Sequence, residues 1–491
     1  MIDVGDPGNH FKPRLVSGDN LPTTAEYITL SHCWGTKTFT TLSITNIQSF
    51  YSEIVEQDLP RTFRDSFAIT RALGQRYLWI DCLCIIQDSL NQVDWEHESA
   101  HLHNVYKNSV CNIAATGGMN PDSGCFFPLD PILKSNVLHV AEPMMDGKML
   151  PGSYILKDAN GRWDNWSSDV AGAHLNTRGW VFQERILSPR ILHFTKGGIY
   201  FECAQGIRDG TGVIEYLDDF AGLKTCLNIP LPDCIEPANL ATHKKNVYET
   251  WYKLLYQYSG LSLSKDSDRL VALGAIAQEM QNLLGCEYQS GIWKEDIHRG
   301  LLWAPVDPPG YPCYSLAPSW SWASILGKIR VPNFSTRLQA LAEIVEVSLS
   351  TVKGNYFGVM SGGSLKIRSR TLEVQGITNP VTSNIFRFSV SHAGLIFSII
   401  AYIDQEILSN YDITLWLCPI TIDEYYNRLH GLILIKHTGH DDEEHYKRIG
   451  TFTLLAPVAK MPSFLSKESD GNKRAIKMMT QTHSQIAITI V

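Results

Sequence analysis

Three short stretches of this chain set polar and ionisable side chains directly against apolar and aromatic ones: Tyr27-Ile-Thr-Leu-Ser-His-Cys-Trp-Gly35, Leu78-Trp-Ile-Asp-Cys-Leu-Cys-Ile-Ile-Gln-Asp88 and Arg178-Gly-Trp-Val-Phe-Gln-Glu184. A core does not need that mixture, because an unpaired buried polar group costs about 1–3 kcal/mol. Three such stretches before residue 185 point to one polar site on an apolar scaffold. Its candidate binding residues are Ser31, His32, Trp34, Gly35, Asp81, Gln87, Asp88 and Trp95. His32 reads either as a general base or as a core histidine. Asp81, placed mid-strand, calls for a partner such as Arg61, Arg64 or Arg178 and reads first as a structural pair. Cys33 has no identifiable activating neighbour and is not read as a nucleophile.

The helix expected over Trp95–Ser109, with Asp94 as its N-cap, supplies the candidate catalytic group. Trp95, Leu102, Val105, Tyr106 and Ser109 share one face, and Glu98 falls within that stripe while Glu96 falls outside it. An inward carboxylate either pairs within the scaffold or lines a cleft, and both readings of Glu98 stand. Arg178, Trp180, Gln183 and Glu184 lie within two helical turns and read as structural support. No metal site is expected. Cys82-Leu-Cys84 has one intervening residue and no second cysteine pair, and the histidines at 437, 440 and 445 flank a solvated acidic loop. Gly117-Gly118 lacks both the lysine of a phosphate loop and the spacing of a dinucleotide fingerprint.

These residues need elements to hold them. Tyr27–Cys33 reads as a strand, Thr62–Gln75 as a helix, Tyr77–Ile86 as a strand covered on both faces, and Cys111–Thr116 as a short strand. Alternation of strand and helix predicts an α/β domain with a doubly wound, mostly parallel sheet. In such a sheet ligands bind outside the carboxyl ends of the strands, which puts the first two stretches and the Glu98 helix at a common rim. Residues 119–173, rich in proline, read as an insertion. A helix near Trp180–Leu187 then leads into a hairpin, Ile191–Phe194 with Ile199–Cys203. Lys244–Tyr258 and Asp266–Leu284 read as helices. Six β runs follow: Ala340–Ser350, Leu365–Val374, Phe386–Val390, Ile413–Cys418, Gly431–Lys436 and Gly450–Leu455. Trp320-Ser-Trp322 is expected to anchor the helical and β parts together.

The predicted organisation is therefore a lead-in over 1–24, an α/β domain over 25–205, a mainly helical region over 206–335 and a β-rich region over 336–491. With 491 residues, 44% of them hydrophobic and 19% charged, the chain exceeds one ordinary core and is not of disordered composition. A net charge of −8 argues against a nucleic-acid binder. The 11 cysteines, mostly in apolar runs, suit a reducing, cytoplasmic setting. No signal peptide precedes the first block, and the apolar run at Leu395–Tyr402 is too short to span a bilayer.

In their order, Leu-Ser-His-Cys-Trp-Gly at 30–35, Trp-Ile-Asp-x-Leu-Cys-Ile-x-Gln-Asp at 79–88, Asp94-Trp95-x-x-Glu98 with Tyr106, and Arg178-x-Trp180-x-x-Gln183-Glu184 resemble the fungal heterokaryon-incompatibility (HET) domain family. The resemblance covers residues 25–190. Asp268-Arg-Leu270, Gly300-Leu-Leu-Trp303 and Trp320-Ser-Trp322 resemble the tail that often follows the domain. His101-Leu102 departs from the Arg-Met of many relatives. The family implies non-self recognition and programmed cell death after fusion of unlike hyphae. It also implies remote similarity to TIR domains, some of which cleave NAD+ with a glutamate on a helix placed like that of Glu98. NAD+ then enters as a substrate rather than a bound cofactor, with Trp34 or Trp95 stacking on the base. About 25 residues precede the first block, so recognition is expected from the C-terminal part, through another protein or self-association. The competing expectation is a non-catalytic binding or accessory protein, associated with a specialised-metabolite pathway.

Overall fold

The computed structural model describes residues 1–6, 11–89, 93–128, 137–140, 152–155, 166–209, 212–214, 224, 227, 235–306, 311–334, 337–351, 355–380, 385–392, 395–404, 413–426, 428–438, 444–455, 476, 479–480 and 485–491. The chain divides into two units, Met1–Ile229 and Pro230–Val491.

The first unit is built on a nine-stranded sheet. In chain order its elements are β1 (Ile2–Asp3), β2 (Arg14–Leu15), β3 (Tyr27–Ser31), α1 (Ile47–Ser52), α2 (Arg61–Ala72), β4 (Tyr77–Trp79), α3 (Asp81–Cys84), α4 (Val93–Lys107) and β5 (Cys111–Ala114). There follow β6 (Val137–Val140), β7 (Gly152–Ile155), α5 (Gly179–Leu187), β8 (Arg190–Phe194), β9 (Ile199–Cys203), β10 (Gly206–Asp209) and β11 (Gly212–Ile214). Strands β4, β3, β5 and β8 lie side by side and pair in parallel. Antiparallel strands extend both edges, β1 and β2 beyond β4, and β9, β10 and β11 beyond β8. The expected α/β domain is thus a mixed sheet with a parallel centre. The order β4-β3-β5-β8 means that the chain steps one way from β3 to β4 and then back across β3 from β4 to β5. Helices α2 and α4 make those crossovers, as parallel pairing requires. The core under the sheet includes Ile28, Leu30, Phe63, Phe67, Leu78, Ile80, Cys82 and Ile113.

Two expectations are corrected here. The apolar run 77–86 is not one strand: β4 stops at Trp79, and the chain turns into α3 with the Ile80 carbonyl accepting from Leu83 and Cys84 N–H at 3.0 and 2.9 Å. Asp81 is therefore the first residue of a helical turn, where the helix dipole favours an acid, rather than a mid-strand carboxylate. Asp94 is not the N-cap, because α4 already starts at Val93. Its carboxylate instead accepts Ile86 N–H at 2.8 Å and so closes the preceding loop. The insertion contains the β6–β7 hairpin and a π-helical turn at Ser167–Ala171; residues 129–136, 141–151 and 156–165 lie outside the described residues.

The second unit opens with α6 (Pro237–Tyr258) and α7 (Val271–Leu284). Its β region closes on itself. Strands Leu372–Pro380, Ile385–His392, Leu395–Ile403, Glu444–Leu455, Arg428–Thr438 and Ile413–Asp423 pair antiparallel in that order. The last then pairs back to the first through Leu417 and Leu372. The result is a six-stranded barrel filled by Leu372, Val374, Ile399, Leu415, Leu429, Ile433, Phe452 and Leu454, among others. Strands Glu343–Thr351, Met360–Ser369 and Ile486–Ile490 extend the same sheet. The expected run Leu365–Val374 is divided between two strands, broken at 370–371. As the sequence predicts, Trp320 joins Ile297, Leu301 and Leu302 to the barrel-side residues Leu365, Ile367, Leu432 and Leu434. Trp303 Nε1 donates to the Trp320 carbonyl at 3.0 Å, and Trp322 Nε1 to that of Gly291 at 3.0 Å. Among the described residues no helix is long and apolar enough to cross a membrane. His437 and His445 face each other across the hairpin; His440 and residues 441–443 lie outside the described residues.

Candidate functional site

Ser31 is the last residue of β3, paired in register with Ala114 at the end of β5. Its hydroxyl is buried and donates to Glu184 Oε2 on α5. It accepts from Asn112 Nδ2 at 2.9 Å, and Asn112 Oδ1 in turn accepts from Thr29 Oγ1 at 3.1 Å. Tyr106, buried on α4, hydrogen-bonds Glu184 as well. One half-buried carboxylate is thus fed by hydroxyls from β3 and α4. Burial pushes the Glu184 carboxyl up to about 7; the nearby Asp81 charge adds to the shift, while Ser31, Arg178 and Tyr106 oppose it.

Beside it lies a second group. Trp34 Nε1 donates to Asp81 Oδ2 at 3.0 Å, Cys82 N–H to Asp81 Oδ1 at 2.7 Å, and His32 Nδ1 stands 3.9 Å from Asp81 Oδ1. The expected arginine partner is not there: Arg178 Nη1 donates to the His32 carbonyl at 2.7 Å, and Arg61 lies against Asp65. Asp81 is satisfied by an indole and a peptide N–H instead. Trp34 stacks on His32 at 6.3 Å, and Phe39 and Phe63 meet the imidazole edge-on. Burial, reinforced by Arg178 and opposed by Asp81, pushes His32 down to about 4, so its ring is neutral at physiological pH.

The other candidate residues hold the frame. Leu42 N–H donates to the Cys82 carbonyl at 2.8 Å, Gln87 N–H to the Leu42 carbonyl at 2.9 Å, and Ile44 N–H to Asp88 Oδ1 at 2.8 Å. Gln87 Nε2 donates to the Ile85 carbonyl at 2.9 Å. Gln87 and Asp88 thus fasten the 42–44 loop to the end of α3. Gly35 has φ +65°, and a Cβ there would meet the Asn120 side chain at 2.7 Å, so it serves a turn and a close approach. Trp95 is on α4, but its side chain lies outside the described residues. Leu102 and Tyr106 are buried on α4, as the helical wheel predicts; Ser109 is buried too, but it lies beyond the end of the helix at Lys107, two residues short of the expected span. Glu98 lies half-buried on the same helix, eight residues before Tyr106 and so about 12 Å along the axis. It makes no hydrogen bond to Ser31, Glu184, Asp81 or His32. On α5, Trp180 is half-buried; Gln183 is fully buried, with Oε1 unpartnered.

Sequence reasoning missed Asn112 and the central place of Glu184. A lone amide inside Cys111–Ala114 was the available signal for the first. The next residue along, Arg185, faces a different cluster. Glu202, fully buried on β9, receives Arg185 Nε at 2.8 Å, His193 Nε2 at 3.0 Å and Lys224 Nζ at 3.4 Å. Burial alone would raise the Glu202 carboxyl, but Arg185 and Lys224 hold it well below the carboxylate range.

Residues 27–184, which contain both polar groups, match the family model described as heterokaryon incompatibility protein (HET). No curated protein and no solved structure matches the chain.

Proposed function

We propose that this chain, whose residues 27–184 form a heterokaryon-incompatibility domain, acts in non-self recognition and cell death through carboxylate chemistry at the rim where β3 and β5 end. The carrying observation is Glu184: half-buried, held by Ser31 and Tyr106, and pushed up to about 7, where one group both gives and takes a proton. The reversal of strand order at β3 supports the location, since ligands of open α/β sheets settle beside such a switch. It also supports the doubly wound, TIR-like reading of the domain.

The substrate in this reading is NAD+. The bond between ribose C1 and the nicotinamide nitrogen breaks, nicotinamide leaves with the electron pair, and water adds to C1, giving ADP-ribose and a proton. A carboxylate beside C1 stabilises the oxocarbenium-like transition state, and a base accepts the proton of the incoming water. Glu184 and Glu98 are the two candidate carboxylates, with Trp34 on the neighbouring Asp81. The competing reading, a non-catalytic binding or accessory protein, draws on the same hydrogen bonds, because a structural carboxylate is satisfied in that way too.

Purified full-length protein incubated with NAD+ is expected to release nicotinamide, and Glu184→Gln is expected to stop release while the variant stays folded. Loss with Glu98→Gln alone would move the chemistry to α4. No release by the parent, even under forced clustering, would leave the binding reading. Expression of the full chain in a fungal host is expected to arrest growth.

A further inference from the structure

We infer that His32, Asp81 and Cys82 bind one divalent ion of the zinc class. A ring nitrogen of His32, a carboxylate oxygen of Asp81 and Sγ of Cys82 lie within 4.8 Å of one another. The residues come from positions fifty apart in the chain, joined because β3 and β4 are parallel neighbours that end at the same rim. Their spacing alone holds no metal signature, and the Cys82-Leu-Cys84 pair diverges once residues 81–84 are helical.

The imidazole is the part of the cluster that packing does not explain. The His32 side chain is 2% exposed, and among the described residues its ring makes no hydrogen bond and Nε2 is buried and unpartnered. Trp34, Phe39 and Phe63 surround the ring, and a phenylalanine would fill that space without an orphaned polar atom. A metal bound through Nδ1, the nitrogen that faces Asp81, gives the ring a polar partner on that side, while Nε2 stays the buried N–H. Two ligand atoms on a tetrahedral zinc ion stand about 3.3–3.7 Å apart, so the observed 3.9 Å between His32 Nδ1 and Asp81 Oδ1 closes by small side-chain rotations.

The surroundings suit an ion. Trp34 Nε1 and Cys82 N–H both donate to the Asp81 carboxylate, fixing its orientation as outer-shell donors do at metal sites. A thiolate and a carboxylate together offset the two charges of the ion. One nitrogen, one oxygen and one sulfur suit zinc or cobalt and exclude magnesium and calcium, which take oxygen ligands. Cys82 is fully buried and Asp81 is 31% exposed, so entry and a fourth ligand, water or a substrate group, come from the Asp81 side. This inference stands apart from the NAD+ reading.

The test uses the full chain, stripped with chelator and titrated with Zn2+ and with Co2+. One equivalent of zinc by elemental analysis, a zinc-dependent rise in Tm, and sulfur-to-cobalt charge transfer with visible ligand-field bands are expected. Cys82→Ser should remove the charge-transfer band, whereas Cys84→Ser should leave it. Trp34→Phe, which keeps all three ligands, should weaken zinc binding about 10–100-fold. Substoichiometric zinc, no charge-transfer band in the parent, or a band retained in Cys82→Ser would overturn the site. If Cys82→Ser does not fold, Asp81→Asn decides instead: unchanged zinc affinity in that variant overturns the site.

Discussion

Burial shifts Glu184 and His32 in opposite senses, raising the acid and lowering the base. The Glu184 carboxyl is raised from 4.5 to about 7. Its protonated form is favoured in the fold, so its contribution is fully present below about pH 4.5 and is lost as pH rises to about 7. His32 is lowered from 6.5 to about 4. Its neutral form is favoured in the fold, so its contribution is present above pH 6.5 and is lost as pH falls through about 4. Between pH 4.5 and 6.5 the two slopes oppose each other. Glu184→Gln keeps an acceptor for Ser31 and removes only the Glu184 slope. Across pH 4.5–7 the stability of the parent relative to this variant is expected to fall by roughly 3 kcal/mol at most. Urea denaturation of both proteins at several pH values checks this, and a flat difference would mean that Glu184 titrates normally. At this scale the sequence was only partly legible. Helical periodicity correctly put Tyr106 inside, but it could not tell Glu98 from Glu184, because the contact between Glu184 and Ser31 spans 153 residues.

Helix α5 shows how an element divides its labour. Consecutive residues on a helix point about 100° apart. Glu184 therefore reaches Ser31, while Arg185 turns to Glu202, His193 and Lys224. That second cluster is sealed, with Trp166 against both Arg185 and His193. Glu202→Gln leaves two buried cations without their counter-charge and is expected to cost about 3–5 kcal/mol, read as a shifted urea midpoint of the full chain. A cost under about 1 kcal/mol would show that water reaches the cluster. The elements legible in the sequence were those with length or turn chemistry to mark them: α2, α4, α5 and the hairpin of β8 and β9. The run 77–86 was not, because a short apolar run fits a buried strand or a buried helical turn equally well. What decides it is the Ile80 carbonyl, which captures two amides and starts α3.

Over the whole chain, the two units differ in how much the sequence discloses. The parallel centre of the first follows from alternating strand and helix. The β runs of the second were visible as runs, but their closure into a barrel was not, since it rests on pairings such as Leu372 with Leu417 that no local pattern encodes. The second unit is tied together by Arg448, which is fully buried on the strand Glu444–Leu455. It donates to Asp404 at 2.9 and 3.2 Å, to the carbonyls of Leu301 and Trp303 at 2.7 and 2.5 Å, and lies 3.4 Å over the Trp303 ring. The barrel and the Gly300–Trp303 segment are thus joined by one guanidinium. Arg448→Met strands the Asp404 carboxylate and two carbonyls in the core, and is expected to destabilise the unit by about 3–5 kcal/mol. Adding Asp404→Leu removes the stranded charge, so the double variant should regain part of the loss but not all, because the carbonyls of Leu301 and Trp303 stay unsatisfied. Trp251, Trp293, Trp303, Trp320 and Trp322 are all fully buried in this unit, so its unfolding contributes to the change in intrinsic fluorescence, alongside that of Trp79 and Trp166 buried in the first unit. A double variant less stable than Arg448→Met alone would show that Asp404 has a second role in the unit beyond pairing with the arginine.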